Sequence, residues 1–255
     1  LRELGDLKQV RERCVFTTHT PVPAGHDQFP LGMVDELLGA STLPESVRAF
    51  ACQDDLLNMT RLGMGFSHYI NAVAMKHGEI SRAMFPEYRV DSITNGVHAA
   101  TWAAEPLQAL FDETIPGWQA DNFLLRQALH LPTDRIWTAH QRAKKILLAY
   151  VNSESNAGMD PNQMTIAFAR RFAPYKRADL LFKNLERLER IAREAGPIQI
   201  LFAGKAHPKD ENGKGLLQKV VQSGRGLREP LRFAFMENYD LALGRMLTSG
   251  VDLWL

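Results

Sequence analysis

The segment Thr165-Ile-Ala-Phe-Ala-Arg-Arg-Phe-Ala-Pro-Tyr-Lys-Arg-Ala-Asp179 carries the residues best suited to chemistry. Its apolar start, Met164 to Ala169, reads as a short buried strand that opens directly into Arg170, Arg171, Lys176 and Arg177. A helix pattern follows at once. Four cations where a buried strand meets a helix start are expensive to place without an anion to hold. Ligands of open α/β sheets sit at that edge, and helix N-termini favour phosphate. The pattern points to an anion site, phosphate foremost. A solvated basic helix start is the alternative.

The elements around this segment alternate regularly. Strand 164–169 leads to a helix expected over Ala178 to Glu194, with Leu181, Leu185, Leu188 and Ile191 as its apolar face. Strand 198–203, a helix near Leu216 to Gln222, strand 231–235, a helix near Tyr239 to Leu247 and strand 251–255 complete a βαβαβαβ order. That order defines a parallel, Rossmann-like sheet. Right-handed crossovers would bring the loops at 170–176, 204–214 and 236–239 to one edge. Earlier residues are more mixed. Cys14 to Thr17 reads as a strand, Asp54 to Met64 and Ser67 to Arg82 as helices, and Arg89 to Thr94 as a short strand before the Asn95-Gly96 turn. Glu105 to Val151 reads as all-helical, and Asn152 to Asn162 as a polar linker. The expected organisation is α/β with two incomplete Rossmann-like domains. Residues 1–97 end the first domain, 98–162 form a helical connection, and 163–255 form part of the second.

Composition narrows the partners. The 255 residues are 45% hydrophobic with a net charge of +1, which argues against a general nucleic-acid or membrane partner. Two cysteines, Cys14 and Cys52, offer neither a disulfide framework nor a four-cysteine zinc site, so a reducing, cytoplasmic setting fits. The chain starts at Leu1 rather than Met and stops in an apparent strand, so a partial chain lacking sequence at both ends is expected. The histidines at 77, 98, 130 and 140 have no metal-ligand spacing and read as structural. Tyr69, Trp102, Trp118, Trp137 and Trp254 read as core or interface residues rather than sugar platforms. Asp54 and Asp55 make no pair with another carboxylate of the kind glycoside hydrolysis needs.

Five ordered blocks carry a resemblance over nearly the whole chain. They are Phe16-Thr-Thr-His-Thr-Pro-Val-Pro-Ala24; Ser67-His-Tyr-Ile-Asn-Ala-Val-Ala74 followed by His77; Ile93-Thr-Asn-Gly-Val-His98; Arg170-Arg-Phe-Ala-Pro-Tyr-Lys-Arg177; and Phe202-Ala-Gly-Lys-Ala-His-Pro208 with Glu237-Asn-Tyr239. Together they resemble the α-glucan (glycogen, starch, maltodextrin) phosphorylases, in the style of the shorter bacterial and archaeal members. The resemblance implies a GT-B architecture, two Rossmann-like domains facing across a cleft. It implies phosphorolysis of terminal α-1,4-linked glucose from a glucan by inorganic phosphate, giving α-glucose 1-phosphate. It implies pyridoxal phosphate acting through its phosphate group, and a homodimer of the full-length protein.

By position match, His68 and Asn95 would contact the glucose 6-hydroxyl, and Tyr175 would lie near the 2-hydroxyl. His19 would lie near the active site, Arg171 and Lys176 would hold the substrate phosphate, and Arg170 would contact the cofactor phosphate. The family has Lys where this chain has Arg170. Its Schiff-base lysine block, Glu-Ala-Ser-Gly-Thr-x-x-Met-Lys, is absent, so the chain alone is expected to be inactive and to bind cofactor weakly if at all. Two alternatives stand beside this: a nucleotide-sugar glycosyltransferase of the same architecture using Arg171 and Lys176, and a non-catalytic carbohydrate- or phosphate-binding module.

Overall fold

The computed structural model describes residues 7–22, 25–39 and 43–255. They fall into two units, the first ending at Gly96 and the second beginning at Val97.

The first unit runs α1 (Leu7–Arg13), β1 (Val15–Thr18), β2 (Gln28–Pro30), α2 (Leu31–Leu38), α3 (Glu45–Ala51), β3 (Cys52–Gln53), β4 (Leu56–Asn58), α4 (Met59–Gly65), β5 (Tyr69–Ala72), α5 (Met75–Met84) and β6 (Asp91–Ser92). Strands β1, β5 and β6 form a parallel sheet in the order β1-β5-β6. Strands β2, β4 and β3 form a small antiparallel one.

Two expected helices are corrected here. The stretch 54–64 opens instead as a hairpin: Asp54 and Asp55 both take positive φ, 50° and 59°, and form the two-residue turn between β3 and β4. That backbone matches strand twist, and Asp tolerates it well. Only then does α4 start, capped by the Asn58 side chain, which accepts from the backbone of Thr60 and Arg61. The stretch 67–82 divides into β5 and α5. Residues Ile70 to Ala72 are buried, and a strand covered on both faces shows no alternation that separates it from a helix turn.

The second unit runs α6 (Ala99–Trp102), α7 (Glu105–Thr114), a 3-10 segment (Asn122–His130), α8 (Thr133–Ser155), β7 (Met164–Ala169), two 3-10 turns (Pro174–Lys176 and Leu180–Phe182), α9 (Leu185–Ala195), β8 (Ile198–Ala203), α10 (Glu211–Arg225), β9 (Leu231–Met236), α11 (Leu241–Gly250) and β10 (Leu253–Trp254). Its sheet is wholly parallel in the order β10-β7-β8-β9. Successive side chains of a strand point to opposite faces, and the core divides accordingly. Ala167, Leu201 and Ala234 meet Leu147, Val151 and Leu247 on the side of α8 and α11. Ile166, Phe168 and Phe202 meet Leu188, Ala192 and Val220 on the side of α9 and α10. Helices thus cover both faces.

The polar stretch after α8 is no free linker. The helix continues to Ser155, and the Asn152 amide exchanges hydrogen bonds with the backbone of Met159, at 2.7 and 2.9 Å, folding the loop onto the sheet. The helix expected from Ala178 starts only at Leu185. Asn184 caps it by accepting from the backbone N–H of Arg187, a competition for the backbone that halts propagation upstream.

Candidate functional site

The strand order locates the edge where chemistry can gather. Three strands extend in sequence from β7 through β8 to β9, and the fourth, β10, returns to the other side of β7. The order therefore reverses between β7 and β10. In open parallel sheets the crevice outside the carboxyl ends at such a reversal is the ligand position. Arg170 and Arg171 follow β7 there. Register pairs Ala169 with Ala203 and Ala203 with Met236, so the loops after β7, β8 and β9 end level along one edge.

The cationic segment does not sit on a helix N-terminus, contrary to the sequence expectation. It is a loop and a 3-10 turn, and the next α-helix starts at Leu185. Other contacts fix it. Phe172, 1% exposed, plugs the segment into the core against Phe168 and Phe235. Its backbone N–H donates to the Lys205 carbonyl at 3.0 Å, tying this loop to the one after β8. Gly204, at φ +136°, lies so close that a Cβ would stand 2.0 Å from the Arg170 carbonyl oxygen. Gly213, in the first turn of α10, leaves no room for a Cβ beside the Phe172 carbonyl, at 2.4 Å. Arg177 takes a left-handed φ of 51°, a conformation that costs an L residue about 1–2 kcal/mol.

On this fixed loop the cations are uncompensated. Among the described residues, the side chains of Arg170, Arg171, Lys176 and Arg177 make no ion pair, and the nearby Asp179 carboxylate is taken by Lys219 at 2.9 Å. That pair holds the Asp179 carboxyl below its usual range, through the Lys219 hydrogen bond first. Arg170 lies over the Phe168 ring at 5.9 Å, and Lys176 over the exposed Tyr175 ring at 5.0 Å. Such contacts leave the guanidinium and ammonium donors open. The arrangement suits a multiply charged oxyanion.

In the first unit, His19 follows β1, and the Asn95 backbone N–H donates to the Val73 carbonyl just past β5. Both therefore lie at the carboxyl edge of the β1-β5-β6 sheet, and both are exposed. His68 does not join them. It precedes β5, its backbone N–H donates to the Cys14 carbonyl, and its Nδ1 donates to the Arg11 carbonyl at 3.1 Å. That is the amino edge, about 13 Å away along a four-residue strand. His68 and Asn95 thus stand at opposite edges in this unit and do not share one hydroxyl. The block Ser67 to Ala74 contributes its other end to the ligand edge, at Val73.

Phe172, Gly204 and Gly213 were not singled out by sequence. Gly204 lay in Ala-Gly-Lys-Ala, which lacks phosphate-loop spacing, and a positive φ leaves no mark in composition.

The fold and this edge define an α/β protein with a cationic loop at the reversal point of a parallel sheet. The carbohydrate phosphorylase family model matches residues 27–254, and the chain belongs to that family. It is 36% identical, over all of its own length, to the maltodextrin phosphorylase of Thermococcus litoralis and covers 34% of that protein. It is 35% identical to the glycogen phosphorylase of Mycobacterium tuberculosis, over 98% of this chain and 34% of that one. With the glycogen phosphorylase of Aquifex aeolicus it shares 30% identity, over 98% and 41%. The chain thus spans about a third of the length of the first of these relatives. Phosphorylases of this family use pyridoxal phosphate. The residues present fit its phosphate end, through the exposed, uncompensated Arg170, and no lysine here lies in the family's Schiff-base block. Among the described residues, no helix is long and apolar enough to cross a membrane.

Proposed function

We propose that this chain is the phosphate-holding and glucose-holding part of an enzyme that phosphorolyses the terminal α-1,4-linked glucose of a glucan. One observation carries the proposal: four cations that pair with no carboxylate among the described residues, on a loop locked by Phe172 and Gly204 at the reversal point of the sheet. Arg171 and Lys176 hold inorganic phosphate. Within the second unit Tyr175 serves the glucose 2-hydroxyl, and within the first unit His19 and Asn95 are the sugar-binding groups. Arg170 holds the cofactor phosphate, which when bound supplies a second anion beside the substrate phosphate.

In the reaction a phosphate oxygen bonds to the anomeric carbon as the glycosidic C–O bond breaks, and the departing 4-oxygen takes the phosphate proton. The anomeric carbon gains positive charge on the way. A dianion kept adjacent by fixed cations stabilises that state. Two phosphates side by side repel, which accounts for several cations converging.

Titration of the chain with inorganic phosphate tests this. Saturable binding is expected that weakens about tenfold or more in Arg171→Gln with Lys176→Gln, the loss of charged hydrogen bonds worth about 1.5–3 kcal/mol each. Unchanged affinity in that variant, or binding of a nucleoside-diphosphate sugar without any of phosphate or glucose 1-phosphate, overturns the proposal.

A further inference from the structure

At the other end of the second unit's sheet lies a cavity of about 400 Å³, with Leu107, Ile136 and Val251 as apolar walls and Thr133, Trp137 and His140 among its lining. It belongs to the amino edge. Asp252, which precedes β10, also lines it, and the Asp252 carboxylate accepts from the backbone N–H of Thr165, the second residue of β7, at 2.7 Å. The cationic loop begins at the far end of the same six-residue strand, about 20 Å away.

Trp137 is the feature that needs an explanation. It is 57% exposed along this cavity, so it is not a core residue. Trp118, by contrast, is 1% exposed, with its indole N–H bonded to Asp112. Beside Trp137 stands a polar group of fixed orientation. The His140 ring centre is 5.3 Å from the indole, and its Nε2 lies 2.8 Å from Asp252 Oδ1. A carboxylate can only accept, so Nε2 carries the hydrogen. In the neutral ring Nδ1 is then an acceptor. Asp252 is otherwise fully engaged: its Oδ2 accepts from Lys144 Nζ at 2.5 Å as well as from Thr165. The ammonium balances the carboxylate, so with the His140 ring neutral the floor of the cavity carries no surplus charge to draw an ion.

We infer that this cavity is a neutral-sugar site: a hexopyranose unit stacks its C–H face on Trp137 and donates a hydroxyl hydrogen to His140 Nδ1. An aromatic platform, aliphatic walls and one oriented acceptor without net charge match a pyranose, which has an apolar face and a polar rim. The volume accommodates one or two such units, within the range of small-molecule pockets. The Thr133 hydroxyl, which both donates and accepts, adds a second polar contact. The site is separate from the phosphate edge and does not depend on the phosphorolysis proposal.

Maltotriose titration of the chain, followed by the indole N–H signals in an NMR spectrum, is the test. Saturable binding is expected that shifts the Trp137 signal, falls at least tenfold in Trp137→Ala and is largely kept in Trp137→Phe. Arg171→Gln and saturating inorganic phosphate are expected to leave it unchanged. Because Trp137 is exposed, both variants should retain the parent's thermal transition. No maltotriose binding, binding equal in Trp137→Ala, or binding of adenosine in place of maltotriose overturns the inference. Loss of phosphate binding in Arg171→Gln with maltotriose binding intact separates the fate of this site from that of the phosphate loop.

Discussion

Gly204→Ala tests how the cationic loop is held. The substitution places a side chain at φ +136°, a region essentially reserved for glycine, at about 1–3 kcal/mol. It also sets a Cβ 2.0 Å from the Arg170 carbonyl oxygen. Relief requires about 1 Å of movement in a close-packed edge, which costs about 1–3 kcal/mol more. The sum, about 2–6 kcal/mol, is a large part of the roughly 5–15 kcal/mol that holds a domain folded. For a unit of this size each kcal/mol is worth about 2–4 °C in melting temperature. The atom struck is backbone, so the strain does not vanish into a side-chain rotation. It moves Arg170 and its neighbours, and phosphate affinity is expected to fall about tenfold with the stability. Gly215→Ala is the control. It lies in α10 with nothing within 4 Å of its added Cβ, so it is expected to stabilise by about 0.5–1 kcal/mol. Denaturant unfolding and phosphate titration on both variants decide the matter. A Gly204→Ala protein within 0.5 kcal/mol of the parent, binding phosphate equally well, would refute the reasoning.

Four further perturbations probe other parts of the molecule. Lys144→Met removes the buried ammonium that pairs with the part-buried Asp252 carboxylate and is expected to cost up to about 3 kcal/mol, read by denaturant midpoint; an unchanged midpoint contradicts it. For Asp252, burial alone would raise the carboxyl, but hydrogen bonds from Lys144, His140 and the Thr165 backbone outweigh it and hold it below the ordinary value of 3.8. Its stabilisation is therefore full above that value and is lost as pH falls further, so the parent should show an acid-unfolding slope that Asp252→Asn lacks. His26 is pushed below the ordinary imidazole value of 6.5, by burial first and then by His77, against a raising contact from the Thr20 backbone. A neutral buried imidazole must gain its proton on unfolding, so stability of the first unit should decline as pH drops below 6.5, and a flat profile from pH 7 to 5 would exclude this. Asp55→Gly, at φ 59° in the β3–β4 turn, is expected to stabilise by about 0.5–1 kcal/mol, with thermal melting as the check.

The second unit was legible because its strands are apolar runs of strand length between turn signals: 164–169 and 198–203 agree with β7 and β8 to the residue. The first unit was less so. Tyr69 to Ala72 is buried almost throughout, so its alternation disappears, and the helical spacing of Ile70, Val73 and Ala74 took its place. The hairpin at Asp54-Asp55 was hidden because two consecutive left-handed residues are a backbone property, and Asp-Asp is a weaker signal of it than Asn-Gly. The cations at 170, 171, 176 and 177 were visible from their contrast with the strand before them. The contacts that immobilise them, from Gly204 and Gly213, arise from strands and helices remote in sequence. His68 was misplaced for a related reason: its motif spans a whole strand, and its two ends face opposite edges.

The return of β10 to the far side of β7 has a consequence for how the second unit is made. Lys144 is buried on α8, yet the carboxylate that neutralises it lies 108 residues downstream, at Asp252. During synthesis the ribosome releases β7, β8, β9 and their helices while that ammonium still lacks its counterion. A sheet closed at that stage would bury a bare charge, so the nascent unit has reason to stay open until residue 252 has left the exit tunnel. Closure of the sheet around β7 is thereby tied to β10, and a polypeptide cut short before Asp252 is expected to stay open to proteases.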